Sequence, residues 1–467
     1  MSNQLSDLVI LFIPLVLLPI LLSIALFRSS FDTAFHWWSG VLLISLTAII
    51  FHALKINPAV YCVIITVSIL ALSIWRKRAI KQHILRAKEP IQYIDYAMAI
   101  IVVIVLVFSG ILVILTQPIP LGGDTFSIWL NKTKSIYNGI PYPTLPVVQY
   151  PSLGPTFQAF AMRFTGGYEP VYGLFFGPIA YCFWVLSLFS VIKQRSGWIM
   201  VAILCSISIL FFDDYVVNGY QDKILMMCAS MSVLSYLQFF SEYSLPSKQE
   251  GSRTLQLLFW LGTFFAAMLS LIKSEGTIMG LILVTASLLV VGLTQPGQIK
   301  VFIQKNYMSI IMFVVLVLLW PLILYAGNVN LSNVQGDNLT LESISDIPQN
   351  MGRIFIIGHY FINSFHEIYV MLIFSVFLTI FALLKVPRLR ITLAYLWLIW
   401  FVHSLFIAFA FLSTRAPLIW HLDTAFYRLT SQHAFVYPLI ILFVTASLLD
   451  TTNDKISLVE SVSIANS

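Results

Sequence analysis

The feature that most constrains this chain is a succession of apolar runs, most of them near the length needed to cross a bilayer. About 30 Å of hydrocarbon takes roughly 20 helical residues. Such runs cover residues 8–27, 37–54, 59–75, 95–115, 170–192, 197–212, 224–240, 255–272, 277–293, 307–326, 368–384, 391–412 and 434–449. With 59% of its residues hydrophobic and 10% charged, the chain has more apolar surface than a soluble core of this length could bury. Backbone groups in lipid must be satisfied within their own segment, which makes these runs helices. The expected fold is therefore an all-α polytopic membrane protein of about 13 transmembrane helices, with exterior juxtamembrane helices. It forms a single transmembrane domain over residues 1–467. Run 277–293 follows its predecessor after only Lys273–Gly276, so that pair is either a tight hairpin of two spans or re-entrant. The first run lacks a basic leading region and a small-residue cleavage pattern, and it reads as a retained helix.

Charge orients these spans. If the loops alternate sides, one set carries 17 of the 26 Lys and Arg, most densely in 76–88. The other set carries 9, although its loops are much longer. The positive-inside rule places the first set in the cytoplasm and the second, with its long loops 116–169 and 327–367, outside. The net charge of +6 is then this topology signal plus attraction to anionic lipid, not a nucleic-acid footprint. Acidic residues run the other way. Asp124, Glu169, Asp213, Asp214, Asp222, Glu275, Asp337, Glu342, Asp346, Glu367 and Asp423 all fall on the exterior side or at its membrane boundary. Cys62, Cys182, Cys205 and Cys228 sit within runs as small packing residues, and no Cys/His metal-ligand spacing is present.

Loop 116–169 carries the most chemistry. Gly122-Gly123-Asp124 precedes Phe126, Trp129, Leu130, Thr133, Ile136 and Tyr137 at helical spacing, and Asn138-Gly139 supplies a stop. The pattern predicts a short helix on the membrane surface, its stripe in lipid and Asn131, Lys132, Lys134 and Ser135 facing out. Asp124 stands at the N-cap position, and capping alone would explain it. The segment Tyr150-Pro151-Ser152-Leu153-Gly154-Pro155 is too proline-rich for a span but stiff enough to position side chains. Asp213, Asp214, Tyr220, Asp222 and Lys223, then Lys273 and Glu275, place polar groups close to hydrocarbon. Charges there either face protein or a wet cavity, or they snorkel to the interface. In the last exterior loop Trp420 and Tyr427 suit an aromatic belt, and Arg428 requires an anionic partner. His359 and His366 read as lining an interfacial helix rather than holding metal.

Taken in chain order, several of these residues form a pattern. It consists of Asp124 with Trp129, Lys132 and Lys134; Tyr150 to Pro155; Gly219, Tyr220, Asp222 and Leu225; Lys273, Glu275 and Gly276; and Trp420, Leu422, Thr424, Arg428 and Leu429. This order resembles the bacterial integral-membrane glycosyltransferases of the GT-C fold, a group similar to aminoarabinose transferases and protein O-mannosyltransferases. The resemblance implies a GT-C-like fold in the plasma (inner) membrane. It also implies transfer of a sugar from a polyprenyl-phosphate-linked donor to a hydroxyl or amine of a glycan, lipid or protein acceptor at the non-cytoplasmic face. It makes Asp124 the catalytic base and puts Lys132, Tyr150, Tyr220, Asp222, Lys273, Glu275 and Arg428 in substrate binding. The chain has no full Asp-x-Asp motif, so dependence on a divalent metal is left open and no ligand is assigned to one.

The residue types suit that chemistry on their own terms. A carboxylate takes the acceptor proton as the new bond forms, and cations hold the leaving phosphate. Asp124 fits the first role; Lys273, Arg428 and Lys223 fit the second. Trp129, Tyr150 and Tyr220 could stack on a sugar ring or serve as belt and packing aromatics. A single displacement would invert the anomeric carbon. The competing class is a secondary transporter or a flippase for a lipid-linked saccharide. Transport calls for ionisable residues near mid-span and internal symmetry, whereas this sequence has almost no charge at mid-span and no repeat. A membrane scaffold without catalysis would not need Asp124, Asp222, Lys273 and Glu275 on one side.

Overall fold

A computed structural model describes residues 10–27, 33–86, 125–148, 150–192, 198–212, 216, 221–243, 253–329, 345–364, 369–414 and 417–449. The expected span 95–115 and the residues Asp124, Asp213, Asp214, Tyr220 and His366 lie outside this set. The described residues contain no strand. Ten of their helical segments are long and apolar enough to cross a membrane, and the chain is a multi-pass helical membrane protein.

The first three helices are α1 (Ile10–Phe27), α2 (Thr33–Ala53) and α3 (Pro58–Trp75), followed by the short basic α4 (Lys77–Arg86). Two short helices, α5 (Asn131–Tyr137) and α6 (Leu153–Met162), precede α7 (Phe176–Ile192) and α8 (Trp198–Phe211). A central group follows: α9 (Gln221–Tyr243), α10 (Arg253–Ile272), α11 (Glu275–Thr294) and α12 (Ile299–Ala326). The chain continues as α13 (Arg353–Ser364), α14 (Tyr369–Lys385), α15 (Arg390–Ser413), α16 (Leu418–Ser431) and α17, residues 436–449. Twelve of the expected spans thus coincide with helices. Two of these, α8 and α14, with 14 and 17 residues, fall outside the ten long segments.

Helix α10 sits at the centre, packed against α9, α11 and α12. Small polar side chains close these contacts. Ser232 Oγ donates to Gly262 O at 2.7 Å, and the Tyr236 and Thr263 hydroxyls meet at 3.0 Å. Such bonds between membrane helices contribute about 0.6 kcal/mol each on average and mainly fix the register. On the other side of the core α2 packs on α1 and α6, where Trp37 stacks on Phe183 at 4.6 Å and donates Nε1 to Leu15 O at 2.7 Å. The outer faces are apolar. Helix α12 exposes Tyr307, Met308, Ile311, Val315, Leu318 and Leu322, and α14 exposes Val370, Ile373 and Phe377, as lipid-facing surfaces require.

Three local expectations change. The segment from Trp420 to Leu429, expected as a loop, lies within α16, because Leu422, Ala425 and Phe426 recur at helical spacing and pack against Ile357, Ile407 and Phe411. The proline-rich stretch after Tyr150 opens α6, all ten of whose residues are buried; a proline in a first turn leaves no hydrogen bond unmade. Helix α5 does not lay its stripe in lipid. Trp129, Leu130, Thr133 and Ile136 are buried in the protein, and so are Lys132 and Ser135, which were expected to face out. The cause is α6, which packs directly on α5 and covers it.

Candidate active site

The site is assembled from helix ends. Asp222 lies in the first turn of α9, where the helix dipole favours a carboxylate, and Lys273 directly follows the last residue of α10, where it favours a cation. The two termini bring Lys273 Nζ to 2.8 Å from Asp222 Oδ1 and 3.4 Å from Glu275 Oε1, at the start of α11. Asp222 and Lys273 are almost sealed, with side chains 2% and 5% exposed, whereas Glu275 is 26% exposed. Gly276 permits the tight turn between α10 and α11, since a Cβ there would collide with the Leu269 carbonyl oxygen and reach 3.0 Å from a Leu225 methyl.

The same Asp222 Oδ1 accepts a second bond, from Gln432 Nε2 at 2.8 Å, across 210 residues of sequence. Gln432 closes α16, and Arg428 lies one turn earlier on that helix, its Nε donating to Thr424 O at 3.1 Å. Burial by itself disfavours the Lys273 ammonium. Asp222 and Glu275 outweigh that effect and hold its pKa above the ordinary lysine value, with Arg428 near enough to oppose them. Among the described residues two carboxylates and two cations therefore share one cluster. Lys223 is enclosed as well and lies 5.8 Å from the centre of the Phe211 ring.

A second group adjoins this cluster. A Cβ on Gly154 would collide with the Gln221 side-chain amide, so the start of α6 rests on the start of α9. Two residues earlier Ser152 is fully buried. The preceding loop is held by Lys132, whose Nζ donates to Val147 O at 3.0 Å and to Tyr150 O. Val147 adopts a φ of 47°, a strained conformation for a β-branched residue, and its carbonyl also receives Tyr150 N at 3.1 Å. The Lys132 ammonium lies 5.9 Å from both the Trp129 and Trp320 ring centres, and desolvation pushes its pKa down to about 7. A neutral amine keeps two N–H donors, enough for the two carbonyls. The Trp129 and Tyr150 rings pack on each other at 5.7 Å.

No protein-family model, no curated protein and no solved structure matches the chain.

The structure thus brings together Asp222, Lys273, Glu275 and Arg428, and it joins Lys132 to Tyr150 in the adjoining group. Asp124 and Tyr220 lie outside the described residues. Among the described residues no group of three or more His, Cys, Asp or Glu is placed to hold a metal ion. Sequence reasoning missed Gln432 and its neighbour His433, whose Nδ1 lies 2.8 Å from Nδ1 of His403 on α15. The available signal was a Gln-His pair at the start of the last apolar run, since polar groups at that depth are costly without partners. It also took Lys273 to be a cation awaiting a phosphate, whereas in the structure Asp222 supplies its anion.

Proposed function

We propose that this chain is a membrane glycosyltransferase that moves a sugar from a polyprenyl-phosphate-linked donor to an acceptor hydroxyl or amine at the non-cytoplasmic face. The observation that carries the reading is the convergence of residues from separate motifs. Asp222, the Lys273-Ser274-Glu275-Gly276 turn and the end of α16 meet at one place, with the start of α6 against Gln221. Helix ends of a multi-pass protein present such a cluster beside the lipid, where a carrier with a long apolar tail can reach it laterally. In this reading Asp124 takes the acceptor proton, Arg428 faces the leaving phosphate, and Asp222 with its partners orients the sugar. Lys132 and Tyr150 shape the loop above. Water is kept out by the buried walls, which strengthens every electrostatic contact within them.

The direct test is transfer of labelled sugar from a polyprenyl-phosphate donor by the purified protein. Time-dependent appearance of a glycosylated acceptor is expected, and a complete lack of turnover across a donor panel would count against the reading.

One observation favours the other class. His403 lies in the middle of α15 and pairs with His433, both fully enclosed, and ionisable groups at such depth are features of transport pathways. Proteoliposomes loaded with a fluorescent lipid-linked saccharide separate the two. Movement between leaflets without covalent transfer would identify a flippase.

A further inference from the structure

We infer that Asp222 and Gln432 form a subsite that accepts hydrogen bonds from the hydroxyl groups of a neutral polyol, and that Lys273 is not a phosphate clamp. The inference rests on the glycosyltransferase reading and names which part of the donor the cluster holds: the sugar ring rather than the phosphate.

Asp222 Oδ1 is fully engaged by Lys273 Nζ and Gln432 Nε2, each at 2.8 Å. Asp222 Oδ2 and Gln432 Oε1, by contrast, have no hydrogen-bond partner among the described residues, although the two residues are only 1% and 0% exposed. One hydrogen bond joins the two groups, so these two oxygens belong to one patch. The orientation of the Gln432 amide is not arbitrary. Turned over, it would set its oxygen against the carboxylate, so Asp222 fixes the nitrogen inward and leaves the oxygen as an acceptor. The His403–His433 bond secures the turn that carries Gln432. Buried acceptors left without a partner are rare in native proteins and demand a reason. Two acceptors on groups joined by one hydrogen bond are complementary to a ligand with more than one donor.

Charge decides which donor. Among the described residues of the cluster Asp222 and Glu275 are matched by Lys273 and Arg428, so these four groups carry no surplus of either sign. A phosphate would need excess cation around it, and an ammonium or metal ion would need excess carboxylate. Vicinal hydroxyls need neither, and a hexose or pentose ring presents them in pairs. Sites built to hydrogen-bond a substrate hydroxyl discriminate strongly against a ligand that lacks it.

The test measures binding of two probes to the full-length protein in nanodiscs: polyprenyl phosphate, and the same lipid carrying a hexose. The wild type is expected to bind the hexosyl lipid about tenfold or more tightly. Gln432→Met, which keeps the volume and removes the amide, should shrink that preference to about threefold or less while leaving affinity for the bare lipid unchanged. Gln432→Asn, with the amide withdrawn by one methylene, gives an independent reading if the Met variant does not fold, and its preference should fall between the two. A preference unchanged in these variants would overturn the inference. So would an equal loss for both lipids in a Lys273→Gln variant that melts close to the wild type, because the cluster would then be the phosphate clamp; either result leaves the glycosyltransferase reading standing. If the wild type binds neither lipid, that reading fails and this inference with it.

Discussion

Lys273 Nζ lies 2.8 Å from Asp222 Oδ1, although 51 residues separate the two and both are nearly sealed from solvent. Their meeting follows from how the helices end. α10 delivers a cation from its C-terminus and α9 a carboxylate from its N-terminus, so each charge complements its own helix dipole before it meets the other. A buried pair gains little over a well-packed apolar pair, because desolvation consumes most of the Coulomb attraction. Its persistence in the wall of a membrane protein is better explained by the group it orients than by stability.

Removing one partner should therefore be worse than removing both. Lys273→Met leaves Asp222 buried without its cation and should destabilise by about 3–5 kcal/mol, and Asp222→Leu by a similar amount. The double variant should recover most of that loss in thermal melts of the purified protein, while sugar transfer stays absent. Strictly additive melting shifts would show that the pair is not energetically coupled.

The loop latch carries a pH dependence. Folding lowers the Lys132 pKa from 10.5 to about 7, so between these values the unfolded chain binds more protons than the folded one. Stability should rise with pH across roughly 7 to 10.5, by up to about 5 kcal/mol from this group. Lys132→Met should flatten that rise and raise stability near neutral pH. It should also loosen the turn at Val147, seen as faster proteolysis near Tyr150. Identical pH profiles for the two proteins would remove the latch.

Much of the fold was legible in the sequence for a simple reason. A bilayer demands runs of about 20 apolar residues whatever the partner helices are, so spans can be recognised without knowing the packing. What the pattern concealed was burial of a different kind. Lys132 looks solvent-facing on a helical wheel because Lys nearly always is, and α6, which covers it, was hidden by Gly154 and Pro155. Likewise α16 reads as a polar loop, since its buried side is a narrow stripe of Leu422, Ala425 and Phe426 between His421, Asp423, Thr424 and Arg428. The site was legible in its charged members, which stand out against an apolar background. Gln432 carries no charge, and nothing local announces a partner 210 residues away.

Topology is testable without any assumption about activity. Lys81 and Lys134 are both exposed, and the partition of basic residues puts them on opposite sides of the membrane. In sealed cells an impermeant maleimide should label Lys134→Cys strongly and Lys81→Cys only after permeabilisation, in a background with Cys62, Cys182, Cys205 and Cys228 replaced by Ala. The reverse pattern would place the Lys134 segment and the 76–88 segment each on the other side and move the proposed reaction into the cytoplasm.

The base is tested by comparing two aspartates. Asn is nearly isosteric with Asp and caps a helix about as well, so Asp124→Asn should leave expression and melting close to wild type if capping were its whole role. It cannot accept a proton, and loss of a general base lowers the rate by about 100-fold or more. Asp222→Asn, by contrast, leaves Lys273 without its full counter-charge and, in the proposed reading, should weaken the hold on the sugar. It should raise KM for the donor and lower the melting temperature, with a smaller effect on kcat. The two variants thus separate along different kinetic axes: a kcat defect with intact donor binding at Asp124, and a binding defect at Asp222. Near-normal turnover in Asp124→Asn, together with a collapse of kcat in Asp222→Asn at normal donor affinity, would transfer the proton-accepting role to Asp222.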